Sequence, residues 1–402
     1  MVFKDIDGVD PADLLHASRD DVIVAYFTSG MPYAEIIHFL RLYHGCNLSI
    51  RQLNRILRNL GQYRRGNRSS INDVLEYVRE RLNGPGSLLG YRSMHQLLRE
   101  NGFNVNRETV RIVLLALDPE GVESRTRRRL RRRLYFSPGP NHVWHVDGYD
   151  KLKPFGFAIH GAIDGYSRKI LWLRVGKSNN DPRVVGSFFL DFVMSSEITP
   201  DILRTDRGSE NIAIAGMQRF FRRNHNDSRS GERSFIYGRS TSNQRIEAWW
   251  SCFRRNRSNW WIDFFKQMVE DGLVNLDLDY HRECLRFCFI GILQGELDET
   301  VRLWNNHRIR RNYYAVCPSG RPDTLYYAPE RSGGQKCGKQ ITLGDLDLAE
   351  EQVDRERNLF ECSPEFIELC QILMTDERFE MPTGIETAKT LALFLINQID
   401  MM

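Results

Sequence analysis

Two short apolar runs, each ending in an aspartate, constrain the fold of this chain most strongly. Residues 142–147 and 201–206 have the length and residue types of strands, and they end at Asp147 and Asp206. A third acid, Glu247, lies one turn into a predicted helix that begins near residue 243. Two acids at the ends of adjacent strands and one on a helix that crosses the sheet can converge on one point.

Such a convergence of carboxylates is typical of a site for hard divalent cations. Oxygen ligands suit Mg²⁺ or Mn²⁺, and a pair of these ions can assist phosphoryl transfer. Other acids in the region have local explanations, because Asp150 and Asp164 occupy turns and Glu210 lies in the first turn of a helix. Asp263 lies too far along the chain to face the same edge of the sheet.

The order of the other elements is also informative. A strong hairpin signal at Asp164-Gly165 lies between two apolar runs, and Asp181-Pro182 opens a helix. After Asp206 come a helix, a polar loop, a short strand at 234–237 and the helix that carries Glu247. The pattern predicts three hairpin strands followed by alternating helix and strand, with the first three strands at about 142–148, 156–164 and 169–176.

The acids, their flanks and their spacing resemble a known family. Asp147 and Asp206 are separated by 58 residues, and Asp206 and Glu247 by 40. The flanking motifs are Trp144-His145-Val146-Asp147, Ile163-Asp164-Gly165-Tyr166-Ser167-Arg168, Arg204-Thr205-Asp206-Arg207-Gly208-Ser209-Glu210-Asn211 and Asn243-Gln244-Arg245-Ile246-Glu247. In this order they resemble the ribonuclease H-like core of the DDE integrases and transposases. More narrowly, the chain is similar from about Leu89 to Pro329 to integrase-core proteins found in many copies in animal genomes.

The resemblance implies both a fold and a chemistry. The fold is α/β, with a mixed five-stranded sheet and flanking helices, preceded by all-α helix-turn-helix units and followed by a helical C-terminal region. The implied activity is that of a metal-dependent polynucleotidyl transferase, in which Asp147, Asp206 and Glu247 are the catalytic residues and hold two Mg²⁺ or Mn²⁺ ions. Attack by water gives strand nicking, and attack by a DNA 3′-hydroxyl gives strand transfer.

Charge is distributed unevenly along the 402 residues. The net charge is +4, yet residues 341–402 contain 14 Asp and Glu against 4 Lys and Arg. The rest of the chain is therefore strongly basic, and most of that excess is arginine. This basic part of the chain is suited to bind a polyanion, because arginine pairs with phosphate through two parallel hydrogen bonds. A solvated basic surface explains the charge equally well.

The N-terminal third predicts two helical units. In the first, Gly45 can form a left-handed turn and Ser49 can cap the helix that follows, which carries Arg51 and Arg55. In the second, the last helix carries Arg107 and Arg111. Each unit is a helix-turn-helix candidate for DNA contact, and the alternative is a small packing unit with a charged outer face.

Arginine is also concentrated elsewhere. Between residues 125 and 133, seven of nine residues are arginine, which indicates a solvated linker, a nuclear-import signal or a segment that follows phosphates. On the Glu247 helix, the candidates for phosphate contact are Arg245, Arg254 and Arg255, unless that face is only solvated. The predicted nucleic-acid contacts in the linker are Arg127, Arg128, Arg131 and Arg132.

These observations predict five segments. They are an N-terminal helical region at 1–68, a second helix-turn-helix-like unit at 69–124, an arginine-rich linker at 125–140, the catalytic core with a closing segment at 141–330, and an acidic tail at 331–402. The eight cysteines are sparse and irregularly spaced, which is typical of reduced thiols in a nuclear or cytosolic protein. Neither a signal peptide nor a membrane span is expected.

No zinc is expected, because the N-terminal histidines and Cys46 lack paired metal-ligand spacing. A second candidate group, His281, Cys284 and Cys288, is interpreted as part of a buried apolar helix. No phosphate-binding loop of the glycine-lysine type occurs, so no nucleotide cofactor is expected.

Three functions remain compatible with the sequence. The first is a DNA integrase or transposase that nicks and joins strands. The second is a DNA-binding protein that kept the fold and no longer cuts, and the third is a metal-dependent nuclease that only hydrolyses. The partner in each case is double-stranded DNA, the expected location is the nucleus, and the joining of two ends implies a homo-oligomer.

Overall fold

The structure is a computed structural model, and it describes residues 11, 14, 17–63, 68–124, 135–238, 243–311, 316–353 and 358–402. Contacts divide the chain into two compact units. The first contains Met1–Phe136 and Glu299–Gly334, and the second contains Ser137–Asp298 and Gln335–Met402. No helix within the described ranges is long and apolar enough to cross a membrane.

Helices and strands are numbered in chain order. The strands are β1 Val143–Tyr149, β2 Ala158–Asp164, β3 Ile170–Gly176, β4 Ile198–Thr199, β5 Ile202–Thr205, β6 Phe235–Tyr237 and β7 Lys339–Gln340. The helices are α1 Arg19–Thr28, α2 Tyr33–His44, α3 Ile50–Asn59, α4 Ile71–Leu82, α5 Tyr91–Glu100, α6 Arg107–Leu117, α7 Pro119–Ser124, α8 Pro182–Ser196, α9 Ile212–Phe221, α10 Gln244–Phe253, α11 Asn259–Glu270, α12 Asp279–Asn306, α13 Pro322–Tyr327, α14 Leu343–Glu350, α15 Pro364–Asp376 and α16 Ile385–Asp400.

The first unit is built from short helices around two apolar clusters. One cluster joins α1, α2 and α3 through side chains such as Tyr26, Phe39 and Leu53, and the other joins α4, α5 and α6. The turn between α2 and α3 has the predicted chemistry: Gly45 has a φ of 63°, and Ser49 forms a reciprocal capping box with Gln52. Both are elements of a helix-turn-helix sequence pattern, and DNA contact by α3 stays a prediction.

The second unit contains a five-stranded sheet in the order β3-β2-β1-β5-β6. β1 and β3 are antiparallel to β2, whereas β5 is parallel to both β1 and β6. This arrangement confirms the predicted mixed sheet with flanking helices. The predicted strands and helices are present within a few residues of their expected bounds, including α8, whose first turn is capped by the Asp181 side chain.

The C-terminal region is helical, as predicted, and it is folded rather than a solvated acidic extension. α16 buries Leu391 and Leu395, and the ring of Phe360 lies 4.6 Å from that of Phe287 on α12. Among the described residues, Glu365 and Glu368 of α15 and Glu386 and Asp400 of α16 are exposed, whereas the apolar faces of both helices are buried.

Trp144 on β1 is central to the sheet's packing. Its side chain is fully buried, its indole Nε1 donates to Asn141 Oδ1 at 2.9 Å, and its ring lies edge-on to Phe189 and Phe192 of α8. We expect Trp144→Ala to reduce the free energy of unfolding of this unit by about 3–5 kcal/mol, because it leaves a large cavity.

Urea unfolding followed by tryptophan fluorescence and circular dichroism measures this loss. Leu359→Ala is the control, because that side chain is 77% exposed and its removal should change stability by less than about 0.5 kcal/mol. Equal effects of the two changes would contradict the assigned role of Trp144.

Candidate active site

The register of β1 and β5 brings two of the predicted acids side by side. Val143 pairs with Ile202, Trp144 with Leu203 and His145 with Arg204. The same offset, carried two residues beyond the last of these pairs, places Asp147 opposite Asp206. Because neighbouring strands are about 4.8 Å apart, carboxylates at these positions project from adjacent points at the same end of the sheet.

Glu247 lies in the same region because Asn243, the residue before α10, forms hydrogen bonds with β1. The Asn243 Nδ2 donates to the carbonyl of Val146 at 2.8 Å, and its Oδ1 lies 2.8 Å from His145 Nδ1. Burial lowers the pKa of His145 to about 3, so the ring is neutral and Nδ1 is the donor. Glu247 follows Asn243 by about one helical turn, so the contact fixes the end of α10 that carries the acid.

The three carboxylates influence one another electrostatically. Burial raises the pKa of Asp147 to about 8, with further contributions from the negative charges of Glu247 and then Asp206. Burial and the charge of Asp206 also raise the pKa of Glu247. Like charges in a poorly solvated site disfavour ionisation, so the neighbouring carboxylates make the charged forms of Asp147 and Glu247 less favourable.

Neutral hydrogen-bond donors orient the two aspartates. The indole Nε1 of Trp250 donates to Asp147 Oδ2 at 3.0 Å, and the buried amide of Asn211 donates to Asp206 Oδ1 at 3.1 Å. Trp250 packs over Gly161, the strand partner of Asp147, where an added Cβ would lie 3.1 Å from the indole. Sequence reasoning interpreted the tryptophans as core and quoted Asn211 only within a motif.

A fourth acid, Glu210, lies beside this group. The Asn211 amide that holds Asp206 also donates to Glu210 Oε1 at 2.9 Å. Burial raises the pKa of Glu210, followed by the charges of Asp206 and Asp150. The sequence explained Glu210 by the start of a helix, and nothing in the local pattern indicates its electrostatic contact with Asp206.

The ligand atoms that Asp147, Asp206 and Glu247 offer are carboxylate oxygens, which hard divalent cations prefer. The groups that lower the pKa of Asp147 are the neutral Trp250 indole and the Gly148 backbone. Among the described residues, the one His, Cys, Asp and Glu triple whose ligand atoms all lie within 4.8 Å is His142, Asp201 and Cys337. The carboxylate oxygens of Asp147, Asp206 and Glu247 do not all lie within that distance of one another.

The predicted arginines near Glu247 differ in their surroundings. Arg245 is partly buried, and its Nε donates to the carbonyl of Gly165 in the β2–β3 turn at 3.0 Å. Arg254 and Arg255 are exposed. They do not continue α10 as an α-helix, because α10 ends at Phe253 and a π-helical turn, Arg254–Ser258, leads into α11. Within this turn Arg257 is buried and pairs with Glu296 at 2.9 Å.

The remaining predicted arginines lie in the first unit or in its linker. Arg51, Arg55 and Arg107 are exposed on their helices, and Arg111 is bonded to Glu108 at 2.6 Å. The described residues do not include the linker arginines Arg127, Arg128, Arg131 and Arg132. For all the arginines in this group, contact with nucleic acid stays a prediction.

The fold and the positions of Asp147, Asp206 and Glu247 together define a class of protein. A mixed sheet of this strand order, with acids at the ends of two parallel strands and on the following helix, is a ribonuclease H-like core. Residues 134–319 match the family model described as the integrase core domain, and this match supports the DDE integrase and transposase superfamily for that part of the chain. No curated protein matches the chain in a sequence search.

Proposed function

We propose that this protein is an integrase- or transposase-like enzyme that nicks DNA and transfers DNA strands with the help of two divalent cations. The observation that carries the proposal is the electrostatic coupling of Asp147, Asp206 and Glu247 within an integrase core. Burial first, and then the charges of Glu247 and Asp206, raise the pKa of Asp147 to about 8, and acids with pKa values perturbed in this way are concentrated at functional sites.

In this proposal Asp147, Asp206 and Glu247 hold Mg²⁺ or Mn²⁺. When bound, these cations would activate the attacking oxygen and stabilise the leaving oxygen of a DNA phosphodiester. The protein supplies the orientation: Trp250 holds the Asp147 carboxylate, Asn211 holds that of Asp206, and Asn243 sets the start of α10. Asp147 must lose its proton to act as a ligand, because only the carboxylate binds these cations well.

The proposed partner is double-stranded DNA. The basic body of the chain supports this partner, with the exposed Arg51, Arg55, Arg107, Arg254 and Arg255 as contacts to phosphate. Strand transfer brings two DNA ends together, which favours a homo-oligomer, and DNA as substrate favours the nucleus. No nucleotide cofactor is required by this chemistry, because the phosphodiester itself is the reacting group.

Incubation of the purified chain with end-labelled duplex DNA and Mn²⁺ tests the proposal. Joined products support strand transfer, and they are the expected result. Nicked strands without joined products would point to a hydrolytic nuclease, and a gel shift without either product would point to a DNA-binding protein that no longer cuts. Both of these outcomes would overturn the proposed strand transfer.

Asn243→Ala tests whether the contact between α10 and β1 positions Glu247. We expect the thermal stabilisation by Mn²⁺ to require about 10–100 times more of the ion, because residues that orient ligands typically contribute that factor to metal affinity. Thermal melting across a Mn²⁺ titration is the measurement, with the exposed Asn224→Ala as the matched control. A lower melting temperature without metal, together with an unchanged Mn²⁺ response, would show that Asn243 has only a structural role.

A further inference from the structure

A second group of metal-ligating side chains lies at the other end of β1 and β5. His142, Asp201 and Cys337 each offer a ligand atom within 4.8 Å of the other two, and His142 Nδ1 lies 3.1 Å from Asp201 Oδ2. His142 immediately precedes β1, whereas Asp147 lies five residues further along it. At about 3.3 Å per residue the two groups are about 16 Å apart, so they are separate sites.

The backbone holds His142 and Asp201 together. The same strand offset that pairs Asp147 with Asp206 also pairs His142 with Asp201, since Ile202 N donates to the His142 carbonyl at 2.9 Å. Asp201 N donates to the Asn141 carbonyl, also at 2.9 Å. Both side chains are mostly buried, with exposures of 26% and 18%, so their relative position depends on the sheet and not on flexible surface loops.

The third member, Cys337, lies in a C-terminal segment just before β7. Cys337 N donates to the Pro140 carbonyl at 3.2 Å, and Gly338 N donates to Asp201 Oδ1 at 3.3 Å. The next two residues form β7, which is antiparallel to β4. Gly338 has a φ of +84°, and an added Cβ would lie 2.8 Å from that of Asn141, so this close approach depends on glycine.

The three ligands differ in chemical type, and this mixture selects the metal. A thiolate is too soft for Mg²⁺ or Ca²⁺, whereas imidazole, carboxylate and thiolate together suit Zn²⁺. Tetrahedral zinc with these ligands places their donor atoms about 3.3–3.8 Å apart. Atoms already within 4.8 Å of one another therefore need to close by only about 1 Å.

We propose that His142, Asp201 and Cys337 form a zinc site that connects the C-terminal segment to β1, which carries Asp147, and to β5, which leads to Asp206. Three protein ligands leave the fourth tetrahedral position to water. On binding, a Zn–S bond replaces the S–H bond of Cys337, and the proton passes to solvent. This site lies outside the residues that sequence reasoning considered when it expected no zinc, because 194 residues separate His142 from Cys337.

Metal content and thiol reactivity of the full chain test the proposal. After dialysis against Mg²⁺ we expect one equivalent of zinc per chain by inductively coupled plasma mass spectrometry. Cys337→Ser and His142→Ala should each weaken zinc binding at least about tenfold. The matched control is Cys46→Ser, because Cys46 is similarly half-exposed and lies outside the group, and this variant should keep its zinc.

A second measurement on the unaltered chain keeps the test independent of whether the variants fold. Zn²⁺ should slow alkylation of Cys337, followed by peptide mass spectrometry, at least about tenfold, and it should leave Cys46 unchanged. Substitution with Co²⁺ should give a thiolate charge-transfer band that is absent from Cys337→Ser. Substoichiometric zinc, or equal alkylation of Cys337 with and without Zn²⁺, would overturn the proposal. Neither readout depends on DNA cleavage, so a failure of the zinc proposal is distinguishable from a failure of the proposed enzymatic function.

Discussion

Asp147→Asn should reduce DNA cutting and joining by at least about a thousandfold while it leaves DNA binding nearly unchanged. The divalent cations contribute several kcal/mol to transition-state stabilisation in this kind of chemistry, and each 1.4 kcal/mol is a factor of ten in rate. Asparagine keeps the size of the side chain and an acceptor for Trp250, which donates to Asp147 at 3.0 Å. The variant therefore removes the charge that a cation needs and little else. Glu247→Gln should have a similar effect.

Single-turnover assays with labelled duplex ends and Mn²⁺ measure the rate, and gel shift measures DNA binding. Asp263→Asn is the matched control, since Asp263 is an exposed acid on α11 and its replacement should leave both unchanged. Cutting by Asp147→Asn within tenfold of the unaltered chain would contradict the assignment of Asp147 to the metal site.

The second large effect concerns stability as a function of pH in the absence of metal. The pKa of Asp147 is raised from 3.8 to about 8 by burial and by the neighbouring acids. The folded protein thus binds this proton more tightly than the unfolded chain does. The stabilising contribution is complete below pH 4 and is lost as the pH rises towards 8. At 1.36 kcal/mol per pKa unit, the loss is at most about 6 kcal/mol, and relaxation of the site reduces it to a few kcal/mol.

Asp147→Asn removes this pH-dependent loss. In EDTA the variant should be more stable than the unaltered chain at pH 8.5, by a few kcal/mol, and equal to it near pH 4. Urea unfolding at the two pH values, followed by fluorescence, gives the difference. Added Mn²⁺ should stabilise the unaltered chain at pH 8.5 and leave the variant almost unaffected. A stability difference that does not change with pH would show that ionisation of Asp147 has no special cost.

Local sequence signals predicted the framework of the core. Apolar runs ending in Asp147 and Asp206 correspond to β1 and β5, Asp181 caps α8, and Gly45 and Ser49 shape the turn before α3. Each of these depends on residues that are neighbours in the chain, and for that reason the pattern of polar and apolar residues was sufficient.

Contacts between distant residues were not accessible in the same way. Trp250 lies 103 positions from the Asp147 carboxylate to which it donates, and its sequence context is that of an ordinary core tryptophan. The π-helical turn at Arg254–Ser258 lies within an uninterrupted helical pattern, without proline or glycine to mark it. The pairing of β7 with β4, which delivers Cys337, joins two-residue strands that are too short to produce an alternating pattern.

Anomalous diffraction from a crystal soaked in Mn²⁺ is the most direct measurement of the central claim, that Asp147, Asp206 and Glu247 hold divalent cations. The proposed function predicts anomalous density bonded to carboxylate oxygens of Asp147 and Asp206, with Glu247 completing the coordination. Well-ordered carboxylates with no manganese among them, under conditions in which the protein cuts DNA, would contradict it.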